Sequence, residues 1–352
     1  MENKTLLNEL VADVIKENAS DIHLSVNQNP SIRIHGALFE LKKYPVVTEE
    51  NLIGIIDEIL TPSFKERFLK EKEIDFSYEI AEARFRGSCF FSQKSICISL
   101  RLIPKVVGTL DELNLPPSLL NFTRKEQGFF LVVGPMGHGK STTLASMIDS
   151  INKERTEHIV TIEDPVEYVY LKDKSLIDQR EVGVDTKDFP TALKSAFRQD
   201  ADVIMIGEMR GLETISTAVT AAETGHLVFS TLHTNNAAQT VDRIIDAFPA
   251  NQQDQIRVQL AGSLLGIFSQ RLIPRISGGV IPAYELLINN NAISNLIREG
   301  RSFEIQNVIE TSSNEGMVSL NRSLAELVRL GEVTMENARK YSTTEGDLDK
   351  LF

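Results

Sequence analysis

The chain has 352 residues, beyond the usual reach of one hydrophobic core, so two domains are the starting expectation. Apolar residues at 42% and charged residues at 24% fit a folded globular chain, and no run of about eighteen apolar residues offers a membrane-spanning helix. With 49 acidic against 37 basic residues, a net charge of −12, six tyrosines and no tryptophan, nucleic acid is not expected as a partner.

Met1-Glu2-Asn3-Lys4 opens directly into a helical pattern without a signal-peptide core, which predicts a cytoplasmic location. Residues 4–17 place Leu6, Leu7, Leu10, Val11, Val14 and Ile15 at helical spacing, and the pattern then alternates through Ile22, Leu24 and Val26. Further strands are expected at 31–34, 75–79 and 89–102, with helices at 49–60 and 63–72. Residues 1–103 therefore read as a small α+β module. Cys89 and Cys97 lie within its β-like sequence with no C-x-x-C partner, which argues for buried small hydrophobes rather than zinc or a disulfide. Ile103-Pro104 and Leu115-Pro116-Pro117 interrupt the periodicity, placing a linker at 104–118.

The second domain is expected over 119–352. Apolar strands at 129–133, 158–162, 203–206 and 227–232 alternate with helical segments, the signature of an α/β fold with a parallel sheet. From about 283, after Pro282, the pattern predicts mostly helix, with amphipathic stretches at 292–299, 303–310, 317–330 and 334–340.

Between the strand ending at Val133 and the helix carrying Leu144-Ala145-Ser146-Met147-Ile148 lies Gly134-Pro135-Met136-Gly137-His138-Gly139-Lys140-Ser141-Thr142, which fits G-x-x-x-x-G-K-[ST]. Such a loop turns successive backbone N–H groups toward an oxyanion and adds the positive end of the following helix. ATP and Mg²⁺ are the expected ligands, with Lys140 on the β/γ-phosphates and Ser141 on the metal. Glu163 and Asp164 follow the strand at 158–162, at the strand end that faces the ligand crevice in such sheets. Glu163 is the candidate to polarise the attacking water, while for Asp164 a turn or capping role stays open. Glu208 stands at the tip of 202–206, placed to hold Mg²⁺ through a metal-bound water. His226 and His233 flank the strand at 227–232 seven positions apart, which sends them to opposite faces, so one of them is structural. His233, between Thr231 and Thr234 and at the carboxyl tip, is the candidate γ-phosphate sensor. The imidazoles of His23, His35, His138 and His158 read as structural or solvated.

Taken together, Gly134 to Thr143, Ile162 to Tyr168, Ile206 to Arg210 and Ala221 to Thr234 resemble, in order, the Walker A, Asp box, Walker B and His box of the secretion-ATPase superfamily. The likeness is strongest to PilT-like retraction ATPases of type IV pili and extends to Ala19-Ser20-Asp21-Ile22-His23-Leu24. It implies a PAS-like α+β N-terminal domain followed by a RecA-like P-loop ATPase domain with a helical C-terminal region. It also implies a homohexamer with nucleotide sites between the two domains, peripheral at the inner membrane and acting on a PilC-like pilus platform protein, and indirectly on pilin. Arg84-Phe85-Arg86 resembles the family's R-F-R, whose arginines reach a neighbouring subunit's nucleotide, and Arg101 keeps a later basic position. Gln93-Lys94 stands where the family has another arginine, and Met136 and His138 replace its Thr and Ser.

Ala292-Ile293-Ser294-Asn295-Leu296-Ile297-Arg298-Glu299 resembles the retraction motif AIRNLIRE at seven of eight positions, with Ser294 in place of arginine. Ile293, Leu296 and Ile297 form an apolar stripe that is either a plain core face or a transmitting surface. Extension and type II secretion ATPases carry an extra N-terminal domain and a four-cysteine insert, which two cysteines cannot supply. The expectation is thus a hexameric Mg²⁺-dependent ATPase motor of pilus retraction. The alternatives are a PilU-like accessory retraction ATPase and a slow nucleotide-binding regulator of the platform.

Overall fold

A computed structural model describes residues 3–34, 36–80, 83–103, 107–342 and 345–352; His35 and residues 104–106 of the expected linker lie outside them. The chain divides into two compact units, Met1–Val106 with Pro165–Val169, and Val107–Asp164 with Tyr170–Phe352. Residues 107–118 of the expected linker thus belong to the second unit, where Leu110 and Leu115 are buried with Leu119, Phe122 and Phe130.

The first unit is a six-stranded antiparallel sheet of β1 (Asp21–Ser25), β2 (Ser31–Ile34), β3 (Ala37–Glu40), β4 (Glu73–Ile80), β5 (Ala83–Ser92) and β6 (Ser95–Ile103), in the order β3-β2-β1-β6-β5-β4. Alternation puts Ile22, Leu24, Ile32, Ile74, Phe76, Phe85, Ile98 and Leu100 into a core shared with the helices Asn3–Lys16 and Glu49–Ile59. The helix Glu49–Ile59 starts on a capping box in which Thr48 and Asn51 satisfy each other's backbone N–H. Pro62–Glu71 starts on Thr61 with proline in its first turn.

The strand expected over 89–102 is a hairpin. Gln93 and Lys94 take φ of 50° and 69°, the two left-handed positions of a tight turn between β5 and β6. They are exposed at its tip, so the position that carries an arginine in the family is here a turn residue. Cys89 lies opposite Ile98 and Cys97 opposite Phe90, one register step apart, so the two free thiols point to opposite faces. Burial pushes the Cys89 thiol up to about 12.

The second unit is a seven-stranded sheet of β7 (Gly128–Val133), β8 (His158–Glu163), β9 (Leu176–Glu181), β10 (Val203–Ile206), β11 (Leu227–Leu232), β12 (Leu264–Pro274) and β13 (Val280–Ile288), in the order β13-β12-β7-β11-β10-β8-β9. All neighbours are parallel except β12 and β13. Helix from about 283 is therefore corrected: β13 runs to Ile288 and helix resumes only at Asn291. Pro282 sits opposite Leu272 on the outermost strand, where a missing N–H costs no ladder bond to a further neighbour. Among the described residues no helix is long and apolar enough to cross a membrane.

Candidate nucleotide-binding and catalytic site

Strand β7 is buried along its whole length and delivers the chain into the glycine loop at the carboxyl edge of the sheet. Gly134, Gly137 and Gly139 have φ of 144°, 77° and 78°, backbone that side chains rarely tolerate. At Gly134 a Cβ would stand 2.3 Å from the Gln270 carbonyl oxygen, so the loop closes against β12 only without a side chain. The helix Lys140–Glu154 follows directly, with Gly139, which has no side chain to cap it, at its N-cap. The N–H groups of a helix's first turn and the dipole behind them suit an anion. Lys140 is buried, its Nζ donating to the Gly134 and Pro135 carbonyls at 2.9 Å each and lying 3.2 Å from His233 Nδ1. Ser141 is exposed on the first turn, Thr142 half-buried, and Met136 exposed at the loop tip.

The other expected groups arrive at the ends of neighbouring strands. Moving across the sheet from β7, His233 follows β11, Glu208 follows β10 and Glu163 ends β8, so four groups far apart in sequence stand at four adjacent strand tips. His233 Nδ1 faces the Lys140 ammonium, which can only donate, so that nitrogen is the acceptor and Nε2 carries the hydrogen. Nε2 lies 3.6 Å from Glu208 Oε2, which sets Lys140, His233 and Glu208 side by side. The far oxygen of Glu208 pairs with Arg210 at 2.5 Å. Gly207 lets this turn lie close: its N–H donates to Ile162 O at 2.8 Å, and a Cβ there would meet that oxygen at 3.3 Å. Glu163 is buried and accepts from Thr161 Oγ1 at 2.7 Å and Gln179 Nε2 at 3.2 Å, so its carboxylate is held in one orientation.

His226, by contrast, sits at the amino end of β11, with Nδ1 3.1 Å from the Ala221 carbonyl and its ring edge-on to Phe197. It closes the end of the helix Leu212–Glu223, at the opposite end of β11 from His233. His158 is also structural, bridging Asp178 and the Asp200 carbonyl. The half-buried ring of His138 is structural: its Nδ1 accepts the Leu272 N–H at 2.9 Å. Burial first, then Lys140 and Arg271, hold its pKa below the ordinary imidazole value, so it stays the neutral acceptor this bond needs.

Arg84 and Arg86 belong to the first unit and project from one face of β5. Arg86 lies opposite Arg101, 3.5 Å from Glu167 and 4.0 Å from Asp75. Arg101 in turn donates to buried Asp21 at 2.8 Å, with Arg33 at 3.9 Å on the other side. Sequence reasoning missed Gln270, Leu272, Gln179 and Arg210. The first two sit on β12, a strand not anticipated, and Gln179 sits on unanticipated β9.

The helix Asn291–Glu299 begins on Asn290, whose side chain accepts the Ile293 N–H, and ends at Gly300 with φ 68°. Ile293 and Ile297 are fully buried and Leu296 nearly so, in the same core as Ile256 and Leu260. The apolar stripe is thus a core face. Ser294 donates to the Ala261 carbonyl at 3.1 Å and to Asn289 Oδ1 at 3.0 Å, a place with two acceptors for a short hydroxyl.

A glycine loop opening a helix from the middle of a parallel sheet, with a lysine, a histidine and two glutamates at adjacent strand tips, defines a P-loop nucleotide-hydrolysing domain. The family model for type II/IV secretion system proteins matches residues 2–279. The chain is 43% identical over 335 residues to the type IV pilus retractation ATPase PilT of Pseudomonas aeruginosa, covering 95% of this chain and 97% of that one. It is 36% identical over 345 residues to the type IV pilus ATPase PilU of the same organism, covering 97% and 89%. A crystal structure of the pilus retraction motor PilT with bound ADP superposes with a TM-score of 0.91 at 43% identity, covering 97% of this chain and 98% of that one. The chain belongs to the type II/IV secretion system protein family and is an ATP hydrolase of that family.

Proposed function

We propose that the chain is the motor of type IV pilus retraction, a Mg²⁺-dependent homohexamer that works on a PilC-like inner-membrane platform protein and so withdraws pilin. Retraction by ATP hydrolysis is the activity named for a relative that matches it over nearly the full length of both chains. The observation that carries the mechanism is the row of Lys140, His233, Glu208 and Glu163 at adjacent strand tips. The loop from Gly134 through Thr142 binds the phosphates, with Lys140 supplying charge and the helix N-terminus supplying N–H donors. Glu163, fixed by Thr161 and Gln179, accepts the proton of the attacking water. His233 reports the γ-phosphate through its bond to Lys140 and its place beside Glu208.

Mg²⁺ fits the donor set. An exposed Ser141 hydroxyl and the Glu208 carboxylate offer two oxygen-bearing side chains, and among the described residues no cluster of three or more metal-ligating side chains forms a dedicated cage. Magnesium takes few protein ligands beside substrate phosphates, and when bound it neutralises the charge developing on them. Arg84 and Arg86 serve the nucleotide of the neighbouring subunit, on the family reading of the first unit as a PAS-like domain and of the second as a RecA-like one. The working location is the cytoplasmic face of the inner membrane, held there by the platform protein.

Supplying the chain to a bacterium whose pili extend but do not retract tests this. Restored retraction with the wild-type chain and none with Lys140→Ala is the expected outcome. Retraction restored equally by Lys140→Ala would reject ATP hydrolysis as the driver, and a requirement for a second motor chain would place this one in the accessory role.

A further inference from the structure

We infer that strand β12 positions both nucleotide-facing loops of the second unit, and that Gln270 is the positioning residue for the phosphate loop. The strand's alternation separates two sets of contacts. On one face, buried Gln270 donates from Nε2 to the His138 carbonyl at 2.9 Å and accepts the Thr143 hydroxyl on Oε1 at 2.6 Å, so one amide ties the loop to the helix that follows it. Two residues on, the Leu272 N–H holds the His138 ring at 2.9 Å, and the Gln270 backbone oxygen is the atom against which Gly134 closes. On the other face, Ser269 donates to the Asn235 carbonyl at 2.9 Å. Opposite it in register, buried Glu285 of β13 accepts the Ala237 N–H at 2.8 Å. Asn235 and Ala237 lie just beyond His233, so the segment carrying the sensor is held by the same hairpin that holds the loop. β13 then runs through Asn289 and Asn290 into the helix Asn291–Glu299, which gives the hairpin a covalent path away from the nucleotide.

Gln270 touches no reacting group in this assignment; it acts by fixing the loop's shape. The inference rests on reading the loop as a nucleotide site, and failure of the wild-type chain to bind ADP would reject that reading separately. In the full-length chain, Gln270→Met should weaken ADP binding by about tenfold or more, since two hydrogen bonds are lost and the buried Thr143 hydroxyl loses its acceptor. It should raise KM for ATP by a similar factor while kcat changes less. Thr143→Val removes one arm and should show part of the loss, and Thr143→Ser, which keeps the hydroxyl, should bind ADP as the wild type does. Because Gln270→Met already breaks the Thr143 bond, adding Thr143→Val should cost little more. Wild-type ADP affinity in Gln270→Met, or losses that sum in the double variant, would overturn the assignment. Should Gln270→Met fail to fold, equal ADP affinity in Thr143→Val and Thr143→Ser would overturn it just the same.

Discussion

In the seven-stranded sheet, β7, β10 and β11 are buried from end to end, and the charged groups next to them stand where strands stop. In the six-stranded sheet one face is core and the other is a display surface, on which Arg33, Asp21, Arg101 and Arg86 stand in register across four strands. The difference is one of connection. Parallel strands joined by crossovers all end on the same edge, so topology alone brings Lys140, His233, Glu208 and Glu163 into line although 93 positions separate the first from His233. Antiparallel strands bring groups together by register along their length, so each charged residue there is placed by its cross-strand neighbours, as Asp21 places Arg101.

This contrast predicts that edge groups and face groups fail differently. Lys140→Ala should abolish turnover, a loss of about a hundredfold or more, because it removes charge stabilisation at the phosphates while leaving the sheet intact. Arg86→Ala should also lower turnover, but in trans. Mixing Lys140→Ala chains with Arg86→Ala chains should recover part of the activity, since some interfaces then pair an intact loop with an intact arginine. No recovery at any ratio, with mixed oligomers verified by mass, would remove Arg86 from that role.

Leu296→Ala should cost ~2–5 kcal/mol of stability, because the side chain is buried in the main core of the second unit. Chemical denaturation measures it, and a loss well below that range would return the stripe to a docking role. The smallest effect concerns His158. Burial lowers its pKa, but the bonds to Asp178 and to the Asp200 carbonyl outweigh this and leave it above the ordinary 6.5. A raised folded-state pKa gives stability that is full below the unfolded value and is lost as pH rises through the folded one. The wild type should therefore lose stability relative to His158→Gln as pH rises above the ordinary 6.5, and parallel curves would exclude the linkage.

What the sequence revealed follows the same division. The glycine loop, Glu163, Glu208 and His233 were legible because buried parallel strands read as unbroken apolar runs, and the residue ending each run is conspicuous. Three edge strands gave no such signal: β3 is exposed at every residue, β9 is polar, and Pro282 within β13 mimicked a stop. The β5–β6 hairpin was hidden because Gln93-Lys94 is not a turn dipeptide such as Asn-Gly, although both residues adopt positive φ. Gln270 was invisible for a further reason. Its importance lies in meeting His138 and Thr143, 132 and 127 positions away, and no local pattern encodes that.

The central claim, that the row of strand tips is a hydrolytic site with separate roles, is tested most directly by Glu163→Gln. Glu163 is already oriented by Thr161 and Gln179, and the amide keeps its size while losing the ability to take a proton. ATP binding in the presence of Mg²⁺ and single-turnover hydrolysis are measured on the same preparation. The account predicts wild-type ATP affinity with hydrolysis slowed about 10²–10⁴-fold. Hydrolysis at the wild-type rate, or loss of ATP binding in step with loss of turnover, would contradict it.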